Sequence, residues 1–257
     1  MSITEDAPAA QRRSLRLPGT VRRASPWWWL VAGSAGVLAV VALVMGGWWA
    51  ASSHTRIATY RVVGTLTTIE LDLDAAALDV VGGGGGAVEL QRTERYAFGR
   101  PPAEERAVEG GVLRIASRCP DIALGTCEAA YRIVVPDNVQ INARTTSGPV
   151  RMVGVNASAS VATGSGPIAV DAFCGFALSA TTESGDVRAR TDCSPDRVEL
   201  RSGRGAVRAL VPSGRYRVDA ESAGGSARVR GLVVADDATF QIQAISGGDD
   251  VLVEGRG

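Results

Sequence analysis

Residues 27 to 49, WWWLVAGSAGVLAVVALVMGGWW, are an apolar run of 23 residues without a charge. A helix rising about 1.5 Å per residue would extend about 34 Å over that run, enough for a hydrocarbon core of about 30 Å. All five Trp flank it, with Trp27, Trp28 and Trp29 at one end and Trp48 and Trp49 at the other. Indoles favour the headgroup level, so these five are the expected interface anchors of one transmembrane helix. A signal peptide cut among Ala50, Ala51, Ser52 and Ser53 is the rival reading. The length of the run and the bulk of Trp48 and Trp49 argue against it.

Past the run the pattern changes period. Ile168 and Val170, Leu178 and Ala180, Val187 and Ala189, Val198 and Leu200, Tyr216 and Val218, Phe240 and Ile242, and Val251 and Val253 alternate with polar or small residues. Period two predicts strands with one buried face, and Arg188, Glu199, Arg217, Arg228, Gln241 and Gln243 fall on the wet one.

These strands recur with a short Ser-Gly signature. Taking Ser147, Ser165, Ser184, Ser202, Ser222 and Ser246 as markers, the spacings are 18, 19, 18, 20 and 24. A fixed period of this size predicts a solenoid. The repeat turns are Ser147-Gly148, Ser165-Gly166, Ser184-Gly185 and Ser202-Gly203. Glycine supplies the sharp corner and the hydroxyl bonds nearby backbone, and a ladder of hydroxyls along one edge is expected. A phosphate-cradling loop would need a helix N-terminus and usually a Lys, and neither follows.

The fold expected is all-β: a β-solenoid or β-helix-like repeat domain of about 18–20 residues per rung with an irregular β cap, preceded by one transmembrane α-helix. Its parts are an Arg-rich disordered leader (1–26), the membrane helix (27–49), a linker (50–56), an N-terminal β region or cap (57–144) and the solenoid repeats (145–257). In the cap, Gly82 to Gly86 read as a hairpin loop, Tyr96 to Gly110 as a surface loop, and Cys119 to Cys127 as a clipped one.

Charge sets the orientation. The leader holds Arg12, Arg13, Arg16, Arg22 and Arg23 against Glu5 and Asp6, a net +3, which places it in the cytoplasm and exports the rest. From Thr55 onward 22 Arg face 25 acids. With 27 basic and 27 acidic residues in all there is no basic excess of the kind that captures nucleic acid. The single imidazole, His54, leaves a Ser-His-Asp, Cys-His or His-zinc mechanism without its base or ligand. No cofactor site and no metal site is expected.

Cys119, Cys127, Cys174 and Cys193 all lie on the exported side, where disulfides are the expected state. Of three connectivities, spacing favours Cys119–Cys127 and Cys174–Cys193 as local closures. Metal ligation is the rival, without a Cys-x-x-Cys or a His to support it.

The units Thr-x-Ser-Gly-(Asp/Pro)-(Val/Ile) at 145 to 150, 163 to 168 and 182 to 187, and the Val-Pro ending the strand Tyr131 to Pro136, resemble the bacterial putative-adhesin domain family, a domain of unknown function. The resemblance covers roughly 60 to 257; Arg204 and Gly224 depart from it where Asp would stand. It implies a β-solenoid-like fold and a cell-surface location, and carries over no catalytic residue.

The function expected is a non-catalytic, membrane-anchored, extracytoplasmic adhesin-like or scaffold domain. Its partners would be a cell-wall polymer or an envelope protein, and it would bind no nucleic acid. An envelope sensor acting through a membrane partner is the alternative, with Ala32, Gly33, Ala35 and Gly36 as a helix-packing face. A glycan-active enzyme would draw its carboxylates from Asp171, Glu183 and Asp186, or from Asp236, Asp237, Asp249 and Asp250. Asp at a turn serves backbone hydrogen bonding equally well.

Overall fold

The computed structural model describes residues 26–52, 54–96, 102–120 and 127–256, and the chain divides into two compact units at Trp48 and Trp49. The first unit holds helix α1, Pro26–Ser52, as far as Trp48. Every described residue of α1 from 33 to 48 is exposed, and Trp27 and Trp48 are 76% and 69% exposed. The side chains of Trp28, Trp29 and Trp49 and the leader 1–25 lie outside the described residues. Among the described residues no helix is long and apolar enough to cross a membrane.

The second unit is all-β. Its strands are β1 (His54–Val63), β2 (Thr68–Gly84), β3 (Ala87–Tyr96), β4 (Ala103–Glu109), β5 (Val112–Arg118) and β6 (Cys127–Pro136). There follow β7 (Gln140–Ser147), β8 (Val150–Val153), β9 (Ala159–Ser165), β10 (Ile168–Phe173), β11 (Ala177–Ser184), β12 (Val187–Thr191) and β13 (Arg197–Ser202). The chain ends with β14 (Val207–Pro212), β15 (Arg215–Ser222), β16 (Ala227–Arg230), β17 (Val233–Val234), β18 (Phe240–Ser246) and β19 (Val251–Arg256).

Each rung contributes one strand to each of two parallel sheets, A and B. Sheet B stacks β5, β2, β7, β9, β11, β13, β18 and β15 in register. Sheet A stacks β6, β2, β8, β10, β12, β14, β19 and β16. Strand β2 serves both sheets, 68–75 in B and 76–84 in A. The apolar residues of period two meet between the sheets: Leu78, Val150, Ile168, Val187, Val207 and Val251 face Ile69, Ile141, Leu178, Val198 and Ile242 in one continuous core.

The stack does not follow chain order. Rung β2 lies between β5/β6 and β7/β8, so β2, β5 and β6, all before residue 145, belong to the solenoid rather than to a separate cap. At the other end the C-terminal pair β18/β19 is inserted between β13/β14 and β15/β16. The true cap is antiparallel: β4 closes sheet B on β5, and β3 followed by β1 closes sheet A on β6.

Two expected loops are therefore different. Within Tyr96 to Gly110 lies strand β4, hidden in the sequence because AEERAVE is nearly all exposed, the charged composition that protects a sheet edge. Residues 97–101 of that stretch lie outside the described residues. The glycines 82 to 86 do not close a hairpin: β6 separates β2 from β3, and Gly82–Gly84 continue β2.

The corner between the two strands of a rung explains the signature. Gly148, Gly166 and Gly185 have φ of +119°, +132° and +145°. A Cβ on Gly166 would overlap the carbonyl oxygen of Gly148, and one on Gly185 that of Gly166. Gly205 repeats the contact against Gly185. Glycine is required because the rung below presses its carbonyl into the space a side chain would fill. Register also places Ser202 opposite Thr182, and Ser246 and Ser222 opposite one another in that same column. The last three marker serines thus stand two residues earlier in their rungs than Ser147, Ser165 and Ser184 do, and Gly205 rather than Gly203 is the equivalent of Gly185.

Both disulfides join the cysteines that spacing paired, Cys119–Cys127 and Cys174–Cys193. The second staples the corner after β10 to the corner after β12.

Gly166→Ala is expected to lower stability by about 2 kcal/mol or more, because backbone must move in two rungs. For a domain of this size that is a fall in Tm of about 4–8 °C by calorimetry. Gly86→Ala, where a Cβ meets nothing within 4 Å, should leave Tm unchanged within error. Equal stability of the two variants would refute the corner argument. Replacing Cys174 and Cys193 together by Ser should cost about 3 kcal/mol in chemical denaturation, the loop-closure value for this spacing.

Candidate functional site

The column formed by Thr145, Thr163, Thr182, Ser202 and Ser246 is buried. The hydroxyl of Thr145 donates to Asp74 O at 2.7 Å, that of Ser202 to Gly185 O at 2.8 Å, and that of Ser246 to Gly205 O at 2.8 Å. Ser202 Oγ in turn accepts from Gly205 N at 2.7 Å. The hydroxyl ladder thus runs inside the stack and satisfies backbone groups at the corners. The second serine column, Ser147, Ser165 and Ser184, is partly exposed at the same edge.

The carboxylates considered for glycan chemistry are spread among turns. Asp186 Oδ1 accepts from Ala206 N at 3.1 Å, and its other oxygen is 3.4 Å from Arg188. Asp250 Oδ1 accepts from Ser226 N at 2.8 Å and Ser226 Oγ at 3.0 Å, and these bonds hold its carboxyl below the usual range. Asp249 accepts from Asp250 N, and Asp237 pairs with Arg215. The Asp186 and Asp250 carboxylates bond the turn of the adjacent rung. Asp171, Glu183 and Asp236 are brought to none of these bonds by their side chains.

What remains for a ligand is outer surface. On sheet B, Gln140, Asn142, Ser158, Ser160, Ala162, Ala177, Ser179 and Thr181 make a low floor across three rungs. Taller side chains stand on both flanks, with Glu70 bonded to Arg114 at 2.7 Å and Glu199 to Arg201 at 2.8 Å. A concavity of about 950 Å³ lies at one end of this floor, lined by Glu70, Asp72, Glu105, Arg114, Asn142 and Arg144. Of the outward residues expected from the sequence, Glu199, Arg217, Gln241 and Gln243 lie on this face, and Arg188 and Arg228 on the outer face of sheet A.

A second polar feature lies inside. At the capped end, Arg92 and Glu94 of β3 meet Glu104 and Arg106 of β4 between the sheets. Arg92 is 2.6 Å from Glu94 and 2.7 Å from Glu104, and Glu104 is 2.7 Å from Arg106. The side chains of Arg92, Glu94 and Glu104 are 6%, 6% and 4% exposed. Arg106 lies 3.6 Å over the ring of Tyr60, and Tyr131 donates to Glu104 at 3.2 Å. The cluster ends the apolar core with a neutral ionic plug. Sequence reasoning missed it, although a signal existed: Arg92 and Glu94 continue the inward parity of Val88 and Leu90.

Residues 122–249 match the family model Toastrack DUF4097. Among solved structures, one of a putative cell adhesion protein from Clostridium sporogenes ATCC 15579 is similar with a TM-score of 0.53 at 11% identity, covering 79% of this chain and all of that one. A putative adhesin from Bacteroides fragilis NCTC 9343 is similar with a TM-score of 0.41 at 14% identity, covering 78% and 97%. At such identity the first likeness establishes a shared fold. No curated relative matches the sequence.

Burial pushes the Tyr131 hydroxyl up to about 12, with a bond to Ser117 and the Arg92 charge opposing the rise. Its folded value exceeds the unfolded one of about 10, so its contribution is complete below pH 10 and is lost as pH rises toward 12. Denaturation across that window should show Tyr131→Phe losing stability less steeply than the native chain, by up to about 1.4 kcal/mol per pH unit. Arg92→Met, which leaves two buried carboxylates without their shared cation, should cost about 3–5 kcal/mol at neutral pH.

Proposed function

We propose that this protein is a non-catalytic, adhesin-like surface-binding domain held outside the cell by a single membrane-spanning helix. The observation that carries the binding reading is the pair of outer faces, each extending over eight in-register rungs, about 34 Å at the usual strand spacing. Extended parallel stacks offer broad surfaces rather than enclosed clefts, which suits a polymer or another protein. The description of the Clostridium protein of like fold as a putative cell adhesion protein agrees with this reading.

Anchoring rests on the helix. α1 is 27 residues long, and its sequence over 27–49 is uncharged. A helix that is apolar all round needs an apolar solvent, and the described residues of α1 are exposed on every side. The Arg excess of the leader supports an N-terminus in the cytoplasm. Two disulfides in the second unit support an oxidising compartment outside it.

In cells making the full chain with an epitope tag after Gly257, the protein should stay in the membrane fraction after an alkaline wash. Antibody added to intact cells should reach the tag. The full chain in lipid nanodiscs should sediment saturably with isolated cell walls, and heat-unfolded protein should not. A tag shielded in intact cells would overturn the topology, and absence of wall binding would overturn the adhesive role in favour of a protein partner at the membrane.

A further inference from the structure

We infer that the outer face of sheet A is a binding surface for a linear phosphate-bearing polymer, gripped by a row of arginines that runs along the stack. The inference rests on the surface-binding reading above and names the chemistry of its partner.

One outward register position of sheet A reads, rung by rung, Arg132, Asp79, Arg151, Ala169, Arg188, Arg208, Leu252 and Arg228. Five of the eight are arginine, and all five are exposed. Arg188 and Arg208 are direct partners on neighbouring parallel strands. Strands lie about 4.8 Å apart, and like charges directly opposite one another destabilise a sheet. The arrangement costs stability unless an anion sits between them.

The protein supplies little of that anion itself. Arg132 reaches Asp79 only at 3.7 Å and Arg188 reaches Asp186 at 3.4 Å. Arg151, Arg208 and Arg228 form no salt bridge among the described residues. Acids do flank the row: Asp186 and Asp250 are bonded to corner backbone, Asp250 also facing the charge of Arg228, and Asp171 and Glu254 stand one outward position along their strands without a salt bridge to the row. On sheet B, Arg114 is bonded to Glu70, Arg118 to Asp72, and Arg201 to Glu199 and to Gln243, while Arg144, Arg197 and Arg217, which have no salt bridge among the described residues, stand opposite no other arginine. Acids are not scarce, since 25 stand against 22 Arg beyond Thr55. The row is a local feature of one face on a domain that is net negative.

The surroundings admit a chain-like ligand. Ala77, Ala130, Pro149, Pro167, Ala169 and Ala206 lie in or beside the row, so the guanidinium groups overlook a low floor. Two adjoining concavities of about 440 and 450 Å³ share Ala77, Thr93, Ala130 and Pro149, with Arg95, Arg132 and Arg151 among their walls. Guanidinium is planar, permanently charged and matched to two oxygens of a phosphate. A row of them at rung spacing fits a repeating anion better than an isolated one, because each site is individually open and weak.

The test uses the full chain in phosphatidylcholine nanodiscs and titrates linear inorganic polyphosphate by calorimetry at about 50 and 200 mM salt. Saturable binding is expected, weaker at the higher salt. The double variant Arg188→Gln, Arg208→Gln should lose at least tenfold in affinity with Tm equal to or above that of the native chain. The sheet B variant Arg114→Gln, Arg201→Gln should bind like the native chain. Equal affinity of native and Arg188/Arg208 variant proteins, or orthophosphate binding as well as polyphosphate, would overturn the inference. Arginine-dependent binding to phosphatidylglycerol vesicles without polyphosphate binding would also overturn it, in favour of a lipid surface. If cell walls bind the Arg188/Arg208 variant as well as the native chain, this inference fails while the adhesive role stands.

Discussion

The architecture depends on how closely one rung can approach the next at its corner. Parallel strands pair along their length at a fixed separation, and the chain must turn between sheets without leaving that separation. At Gly148, Gly166, Gly185 and Gly205 the carbonyl of the rung below occupies the place of a side chain. Any Cβ there would lever two rungs apart and break the ladder on both sheets. Around this constraint the remaining corner residues fall into place. The Thr/Ser column turns inward and bonds the carbonyls that the tight turn strands, and Asp186 and Asp250 bond N–H groups of the next turn.

Satisfying the corner internally leaves the outer faces free to vary. Residues that point outward on the two sheets make few contacts needed for the stack, so their chemistry can diverge. Sheet B carries small polar residues bordered by neutralised pairs, and sheet A carries arginines at one register position. The core tolerates no such freedom: Val187, Val207 and Val251 succeed one another rung by rung and are almost fully buried.

Much of this was legible in the sequence because it is local. Period two marked the strands from Ile168 onward, and the recurring Ser-Gly marked the corners. Pairing of Cys174 with Cys193 followed from one rung's spacing. The parts that were not legible are non-local or invert the usual composition. Strand β4 has an edge strand's charged sequence, a composition that reads as a loop. Arg92 and Glu94 lie inside, where alternation alone leads one to expect apolar residues. Ser202, Ser222 and Ser246 imitate the marker serine but occupy the threonine column, a shift that only register with Thr182 discloses. No periodic signal tells a rung which other rung it must join. The insertion of β2 among later strands, and of β18/β19 before β15/β16, is set by the fit of long-range surfaces.

That insertion governs the order of assembly. A stack laid down in chain order could grow as residues emerge, each new rung docking on the last. Here the slot beside β13/β14 is reserved for β18 and β19, and β15/β16, made earlier, has no floor to rest on until they arrive. The distal end of the domain therefore closes only after β18 and β19 have been made. A chain cut short before β18 would not simply lack its last rung. It would carry a gap within the stack, with open edges on both sides of it for proteases to find.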